Sequence, residues 1–303
     1  MARQFQFLTA DVFTDHLFGG NQLAVFPNAA GIPEQTMQQI AREMNLSETV
    51  FVFPPETAAG TRRLRIYTPA NELPFAGHPT VGAAFVLASM GEIALTGDET
   101  STVFEEGVGP VPVVIRSRGG RPVFCQLTAA KLPQEGPPPP PRAALAEVLS
   151  LGDDQIGEGD ERPRAFSCGV PFLFVTLRDL DALASIRINN AAWERHIAGY
   201  WATDIYTLTR RAADGEIRSR MFAPGLGIAE DPATGGAAAA LAGYLARPDL
   251  PDGVSHWTVR QGVEMGRPST IEVEADMLHG AITEVRVGGS SVMVSEGVMT
   301  LPA

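Results

Sequence analysis

The sequence predicts an α+β protein built from two related lobes, and three observations lead there. First, one constellation occurs twice. Its first copy runs Ser47-Glu48-Thr49-Val50-Phe51, then Arg65-Ile66-Tyr67-Thr68-Pro69, then Gly77-His78-Pro79-Thr80 opening a small-residue apolar run. The second runs Thr203-Asp204-Ile205-Tyr206, then Arg220-Met221-Phe222-Ala223-Pro224, then Asp231-Pro232-Ala233-Thr234-Gly235-Gly236 opening an alanine-rich run. From acid to proline the copies span 21 and 20 residues, and an order kept over that distance indicates an internal repeat. Second, the remaining pattern is dominated by short alternating apolar runs, with few helical periods. Third, 303 residues suit two domains of ~150 residues each, and either can bury a full core.

Taken in order, residues 5–12 and 23–26 read as strands flanking Phe18-Gly19-Gly20-Asn21, where glycines and an asparagine permit positive φ in a tight connection. Pro33 opens a helix over 34–44, with Met37, Ile40, Ala41 and Met44 on one face. Strands at 49–53 and 64–67 follow. Residues 77–90 form a helix that is apolar nearly all round, so it should be buried on every side. Sheet is expected within 104–127. The five prolines at 137–141 can only be an extended polyproline segment, read as a stiff spacer at the lobe boundary. Beyond it come a short amphipathic helix (142–149), a strand (172–177), a helix (191–198), a strand (205–209) and the alanine-rich helix (237–245). Runs at 271–274, 284–287 and 292–301 are strand-like, the last carrying the C-terminus back onto the first lobe. The boundaries drawn are 1–120 for the N-terminal lobe, with a tail of about 288–303 returning to it, and 121–287 for the C-terminal lobe.

Lys and Arg number 23 against 35 Asp and Glu, a formal charge of −12, which argues against a nucleic-acid partner because such binders present clustered cations. The densest basic spots, Arg62-Arg63 with Arg65 and Arg210-Arg211, read as solvated strand edges. No run approaches the ~18 apolar residues of a membrane span, and the N-terminus enters a strand-like alternation without a signal-peptide pattern. The expected location is therefore cytoplasmic. Cys125 and Cys168 each sit in an apolar run, so neither a disulfide framework nor a zinc site is indicated. His16, His196, His256 and His279 have no ligand spacing, and no metal is expected. GxSxG, GxGxxG and Walker patterns are missing, which leaves serine hydrolase, dinucleotide and nucleotide readings without support. No cofactor is expected.

Glu48 lies between a polar turn and the apolar strand Val50-Phe51-Val52-Phe53. Partial burial there raises a carboxyl pKa toward the range where it both accepts and donates protons near neutrality; the alternative is a solvent-facing strand residue. The repeat favours the first, since Asp204 holds the equivalent place. Gly77-His78-Pro79-Thr80 combines a glycine that admits close approach, first-turn N–H groups that attract carboxylate, and a histidine that can relay a proton. Its plain alternative is a loop that merely starts a buried helix. Asp231-Pro232-Ala233-Thr234-Gly235-Gly236 offers the same device with its own acid, Thr234 being placed to cap and the two glycines exposing consecutive N–H groups. Facing each other across a cleft, the two openings would cradle a small anion.

These motifs resemble the phenazine-biosynthesis PhzF-like isomerase family, which shares the diaminopimelate epimerase fold. The resemblance runs from Asp11-Val12-Phe13 and Gly20-Asn21-Gln22-Leu23-Ala24-Val25, through the Glu48, His78 and Asp231 motifs, to Gln261-Gly262 and Met265-Gly266-Arg267-Pro268-Ser269. It implies two pseudo-symmetric lobes, each a curved, mostly antiparallel sheet wrapped around a central helix, with the active site between them and usually a homodimer. By the same resemblance Glu48 is the general acid/base, His78 and Asp231 assist it, and the amides of Gly77 and Gly235 hold a substrate carboxylate. Gly236 and Asn21 complete the expected substrate-binding set. Gly236 departs from the serine that many members carry, keeping the amide donor but losing a hydroxyl. The implied activity is a cofactor-independent proton shift within a small carboxylate-bearing substrate, cyclic amino acids included. A non-catalytic metabolite- or protein-binding member, or an epimerase- or dehydratase-like activity, is the alternative; the related two-thiol epimerases would need cysteines where this chain has Gly77-His78 and Gly235-Gly236.

Overall fold

One order of strand pairings occurs twice in the computed structural model, which describes residues 2–210, 215–246 and 250–302. The chain forms two units, Met1–Ala130 with Val287–Ala303, and Lys131–Arg286. The first contains β1 (Arg3–Val12), β2 (Asn21–Phe26), α1 (Glu34–Met44), β3 (Glu48–Phe53), β4 (Arg62–Tyr67), β5 (Glu72–Leu73), α2 (Gly77–Ser89), β6 (Glu99–Glu106), β7 (Gly109–Arg118) and β8 (Arg121–Thr128). Strand β2 runs antiparallel to β1 and parallel to β3; β4 is antiparallel to β3 and β5 but parallel to β6; β7 is antiparallel to β6 and β8. The C-terminal strand, Ser291–Leu301, pairs along the whole of β1.

The second unit contains β9 (Gln134–Glu135), α3 (Arg142–Leu149), β10 (Arg164–Ser167), β11 (Pro171–Thr176), α4 (Leu180–Ser185), α5 (Asn190–His196), β12 (Asp204–Arg210), β13 (Ile217–Ala223), β14 (Ile228–Asp231), α6 (Gly235–Leu245), β15 (Gly253–Gln261) and β16 (Ser269–Leu278). Here β10–β11 is antiparallel, β11–β12 parallel, β12–β13 and β13–β14 antiparallel, β13–β15 parallel and β15–β16 antiparallel. Element for element, this is the β1–β7 order. Strand β17 (Ala281–Gly289) leads out of the second unit into the first, where β18 (Ser291–Leu301) closes the chain.

The register makes the duplication exact at the residue level. Thr49 lies opposite Tyr67, and Ile205 opposite Phe222, so Arg65 and Arg220 hold one position. Each arginine makes a two-pronged ion pair with the acid of the next short strand, Arg65 with Glu72 at 2.7 and 2.6 Å, Arg220 with Glu230 at 2.8 Å twice. Each guanidinium also lies over an aromatic ring, Tyr67 or Phe222. Arg65 is therefore not the solvated edge that the sequence suggests: the fork geometry of Arg fixes the crossover into the next helix. Arg62 and Arg63 pair with Glu92 and Glu56, and Arg211 lies outside the described residues.

Each sheet encloses one helix. Helix α2, buried from Gly77 to Ala88, packs against β1, β2, β3, β7 and β8. Helix α6, buried along nearly its whole length, packs against β9, β10, β11 and β16. The opposite sheet face is covered by α1 in the first unit, where Met37, Ile40 and Ala41 meet Phe26, Phe51 and Tyr67. In the second unit α3, α4 and α5 do this over Leu173, Val175, Ile205 and Phe222. With both faces covered, β2–β3 and β11–β12 become continuous apolar runs, as doubly buried parallel pairs require. The five prolines lie past the Ala130–Lys131 division, inside the second unit, so they are not the spacer that composition suggests. The Tyr200 hydroxyl donates to the Pro137 carbonyl at 2.6 Å, and the segment leads straight into α3. No helix among the described residues is long and apolar enough to cross a membrane.

The closeness of α2 to its sheet rests on one glycine. A Cβ at Gly82 would come 2.5 Å from Leu23 Cδ2 and 2.6 Å from Val12 Cγ2, inside any tolerable contact. Gly82→Ala should therefore cost about 1–3 kcal/mol by overpacking, despite the better helix propensity of alanine. Urea unfolding that gives equal or greater stability for the variant would contradict this packing.

Candidate active site

In the first unit three of the sequence-selected residues meet. Glu48 is the first residue of β3, opposite Leu23 of β2, and its side chain is 13 % exposed. His78, the second residue of α2, is 4 % exposed, and its Nε2 lies 3.3 Å from Glu48 Oε2. Its Nδ1 lies 3.3 Å from Nδ2 of Asn21, the first residue of β2. Asn21 therefore positions the imidazole that faces the acid. Burial is the main influence on His78 and pushes its pKa down to about 3, with a backbone hydrogen bond to Gln22 opposing weakly. An amide nitrogen only donates, so Nδ1 is the acceptor and the neutral ring presents its one N–H, on Nε2, to Glu48.

Gly77 is the first residue of α2, and no side chain caps this helix; its N-cap residue is Ala76. The first i→i−4 bond comes from Thr80 N–H to the Ala76 carbonyl at 3.3 Å. The amides of Gly77 and His78 therefore precede the helical ladder, at the positive end of the helix dipole.

In the second unit Asp231 ends β14, buried, and accepts from the Thr234 hydroxyl at 2.5 Å. Thr234 occupies the N-cap position of α6, but its side chain does not cap the helix; its hydroxyl donates to Asp231 and its oxygen accepts from Gln261 Nε2 instead. Gly235 and Gly236 are the first two residues of α6 and offer consecutive amides. Asp204 opens β12 as Glu48 opens β3. Burial raises its pKa to about 6, with the charge of Asp231 adding in the same direction and the Thr203 hydroxyl opposing.

Two polar residues that received no role from the sequence brace these openings. Gln261, the last residue of β15, donates from Nε2 to the Asp231 carbonyl at 2.7 Å and to Thr234 Oγ1 at 2.9 Å. Its Oε1 accepts from the Thr234 amide at 3.1 Å and the buried Tyr206 hydroxyl at 3.2 Å. Glu106, the last residue of β6, is buried and contacts Thr80 Oγ1 at 2.6 Å. A signal existed: each ends a strand after its helix and is followed by glycine, Glu106-Gly107 and Gln261-Gly262. Cys125 and Cys168 are buried on other elements, and burial raises both thiol pKa values, Cys168 to about 12. Neither stands at a helix opening.

Comparison with known proteins shows the family and the fold. The family described as "Phenazine biosynthesis-like protein" matches residues 10–297. An uncharacterized isomerase of Mesorhizobium japonicum is 40 % identical over 96 % of this chain and 97 % of its own. The trans-2,3-dihydro-3-hydroxyanthranilate isomerase of Pseudomonas aeruginosa is 33 % identical over 96 % of this chain and 98 % of its own. Among solved structures, a PhzF-family protein of Bacillus anthracis superposes with a TM-score of 0.87 at 23 % identity, covering 98 % of this chain and 99 % of its own. The fold is thus the two-lobed α+β fold of that family.

Because the folded His78 ring resists protonation that the unfolded chain accepts near ~6.5, stability should fall as pH drops below about 6. NMR should show His78 as a neutral ring throughout pH 5–8, with His78→Gln flattening the acid loss of stability. A His78 resonance titrating near 6.5 would contradict the burial.

Proposed function

The chain belongs to the phenazine biosynthesis-like family and is an isomerase; from that premise we propose that it shifts a proton within a small carboxylate-bearing substrate, with Glu48 as general acid/base and no cofactor. The observation that carries the reading is the Glu48–His78 contact of 3.3 Å at the uncapped opening of a buried helix. Glu48 takes a proton from a carbon activated by the substrate's own unsaturation and returns it elsewhere on the same molecule. Neutral His78, held by Asn21, presents its Nε2–H to Glu48. First-turn N–H groups and helix dipoles favour an anion, so the amide of Gly77 in the first unit and those of Gly235 and Gly236 in the second are the proposed carboxylate donors. Asp231 is the assisting acid of the second unit. We propose a cyclic amino acid as the substrate class, on the name of the Pseudomonas aeruginosa relative, and a cytoplasmic homodimer as the working form.

Glu48→Gln keeps the side-chain shape but removes the proton carrier. With substrate in deuterated water, turnover and solvent deuterium incorporation should both fall by ~100-fold or more, while KM changes little. A variant that turns over like the parent ends the assignment.

Gly236 gives a second test. A Cβ there meets the Phe172 ring at 3.7 Å, an ordinary contact, so Gly236→Ser should fold and gain a few tenths of a kcal/mol from helix propensity, on the order of 0.5. The added hydroxyl should lower KM for a carboxylate substrate severalfold, on the order of one hydrogen bond. An unchanged KM in a folded variant would place the carboxylate elsewhere.

A further inference from the structure

Glu106 is a buried carboxyl that the proton shift does not use. Its exposure is 9 %, and among the described residues its Oε2 has no hydrogen-bond partner. Its Oε1 lies 2.6 Å from Thr80 Oγ1, while the same hydroxyl lies 2.8 Å from the Ala76 carbonyl. Thr80 owns one hydroxyl hydrogen, and a carbonyl can only accept. Were Glu106 ionised, two acceptors, one of them charged, would compete for that hydrogen, and a second charged oxygen would be buried without a donor. With the proton on Oε1, every contact is satisfied: Glu106 donates to Thr80, Thr80 donates to Ala76, and Oε2 is the carbonyl oxygen of a neutral acid, far less costly to bury.

The second unit supports the same assignment independently. Arg63 pairs with Glu105 across β4–β6 and Arg218 with Arg260 across β13–β15, so Glu106 and Gln261 hold one position in the repeat. Gln261 donates to the Asp231 carbonyl and to Thr234 Oγ1, just ahead of α6. At that position the fold uses a neutral donor that ties a strand end to a helix opening through a threonine hydroxyl. An amide supplies it permanently; a carboxyl supplies it only while protonated.

We propose that Glu106 is a positioning residue for the opening of α2, bracing Ala76 through Thr80 as the neutral acid just as Gln261 braces α6. This rests on the reading of the Gly77 opening as a carboxylate site. Charges on neighbouring elements are engaged otherwise. On β4, Arg62 pairs with Glu92 and Arg63 with Glu56. Glu105 accepts from the amides of Glu56 and Thr57, and Glu72 of β5 holds Arg65. On α2, His78 is neutral, and β7 sets Gly109 opposite Glu106. Burial accordingly raises the Glu106 pKa to about 8.

The sign follows from linkage. A folded-state pKa raised above the unfolded value of ~4.3 gives stability that is complete below the unfolded value and lost as pH rises through the folded one. The experiment compares the parent, Glu106→Gln and Glu106→Leu in the full chain, by thermal unfolding from pH 5 to 9.5 and by titration with anthranilate as a carboxylate probe. The Gln variant should match the parent near pH 5. It should then exceed the parent's Tm by a margin that opens to at least ~3 °C by about pH 8 and levels off above. Anthranilate Kd of the parent should rise about tenfold around pH 8, that of Glu106→Gln less than twofold, and Glu106→Leu should bind worse than Glu106→Gln at every pH. Parallel Tm curves for parent and Gln variant, or a Leu variant that binds as well as the Gln variant, would overturn the inference. If no protein binds anthranilate at any pH, the carboxylate reading of the opening fails, and the inference drawn from it fails as a positioning role; the Tm curves still report whether Glu106 holds its proton.

Discussion

A helix that is apolar on every side must still end, and its first-turn amides are then polar groups without a place in the hydrogen-bond ladder. Helices α2 and α6 are both in this situation, and neither receives a side-chain cap. At α2 the N-cap residue is alanine; at α6 the threonine hydroxyl is taken by Asp231. Unsatisfied amides at the positive end of a dipole have a high affinity for negative charge. The residues chosen at these ends, glycine at both and glycine or histidine next, keep the approach to the amides open. Burying the two helices to build two cores therefore also produced two anion-seeking ends.

The duplicated scaffold separates what the fold requires from what the chemistry requires. Parallel and antiparallel pairings match strand for strand, and Arg65–Glu72 and Arg220–Glu230 repeat with their aromatic partners. These are the parts that aim a short strand into the helix. Where the copies diverge, the divergence sits at the helix openings. Glu48 with His78 and Asn21 in one unit corresponds to Asp204 with Gly236 in the other, while Asp231 and Thr234 have apolar counterparts, Leu73 and Ala76, and only Gln261 keeps a polar one, Glu106. Matching strand pairings thus carry a Glu48–His78–Asn21 cluster in the first unit and an amide-rich, hydrogen-bonded opening in the second.

Burial sets the electrostatics of both clusters more than any charge partner does. It holds His78 neutral, raises Asp204 to about 6 and Glu106 to about 8, and keeps both thiols protonated. Desolvation penalises the charged form of each group alike, so the His78 imidazole stays neutral beside Glu48 rather than forming a fixed ion pair.

Several features were already legible in the sequence. The repeat, the wholly buried character of 77–90, the amphipathic helix Glu34–Met44 and the strand opening at Glu48 are all local, because periodicity and composition are properties of neighbouring residues. The polyproline run was legible as a conformation but not as a place, since nothing local says which unit a stiff segment joins. Arg65 read as a surface charge because its partner Glu72 approaches only when β5 folds back on β4. Glu106 went unrecognised, and Gln261 entered only as part of a family motif without a role, for the same reason: each lies 26 or 27 residues from the threonine it meets, and a strand end is indistinguishable from any other polar residue until the parallel β4–β6 and β13–β15 pairings bring it there. The amino-acid order by itself determined which segments are helix or strand and which acids precede apolar strands. Only the tertiary structure decided which of those acids is buried, next to what, and therefore in which protonation state, because desolvation depends on atoms that are distant along the chain.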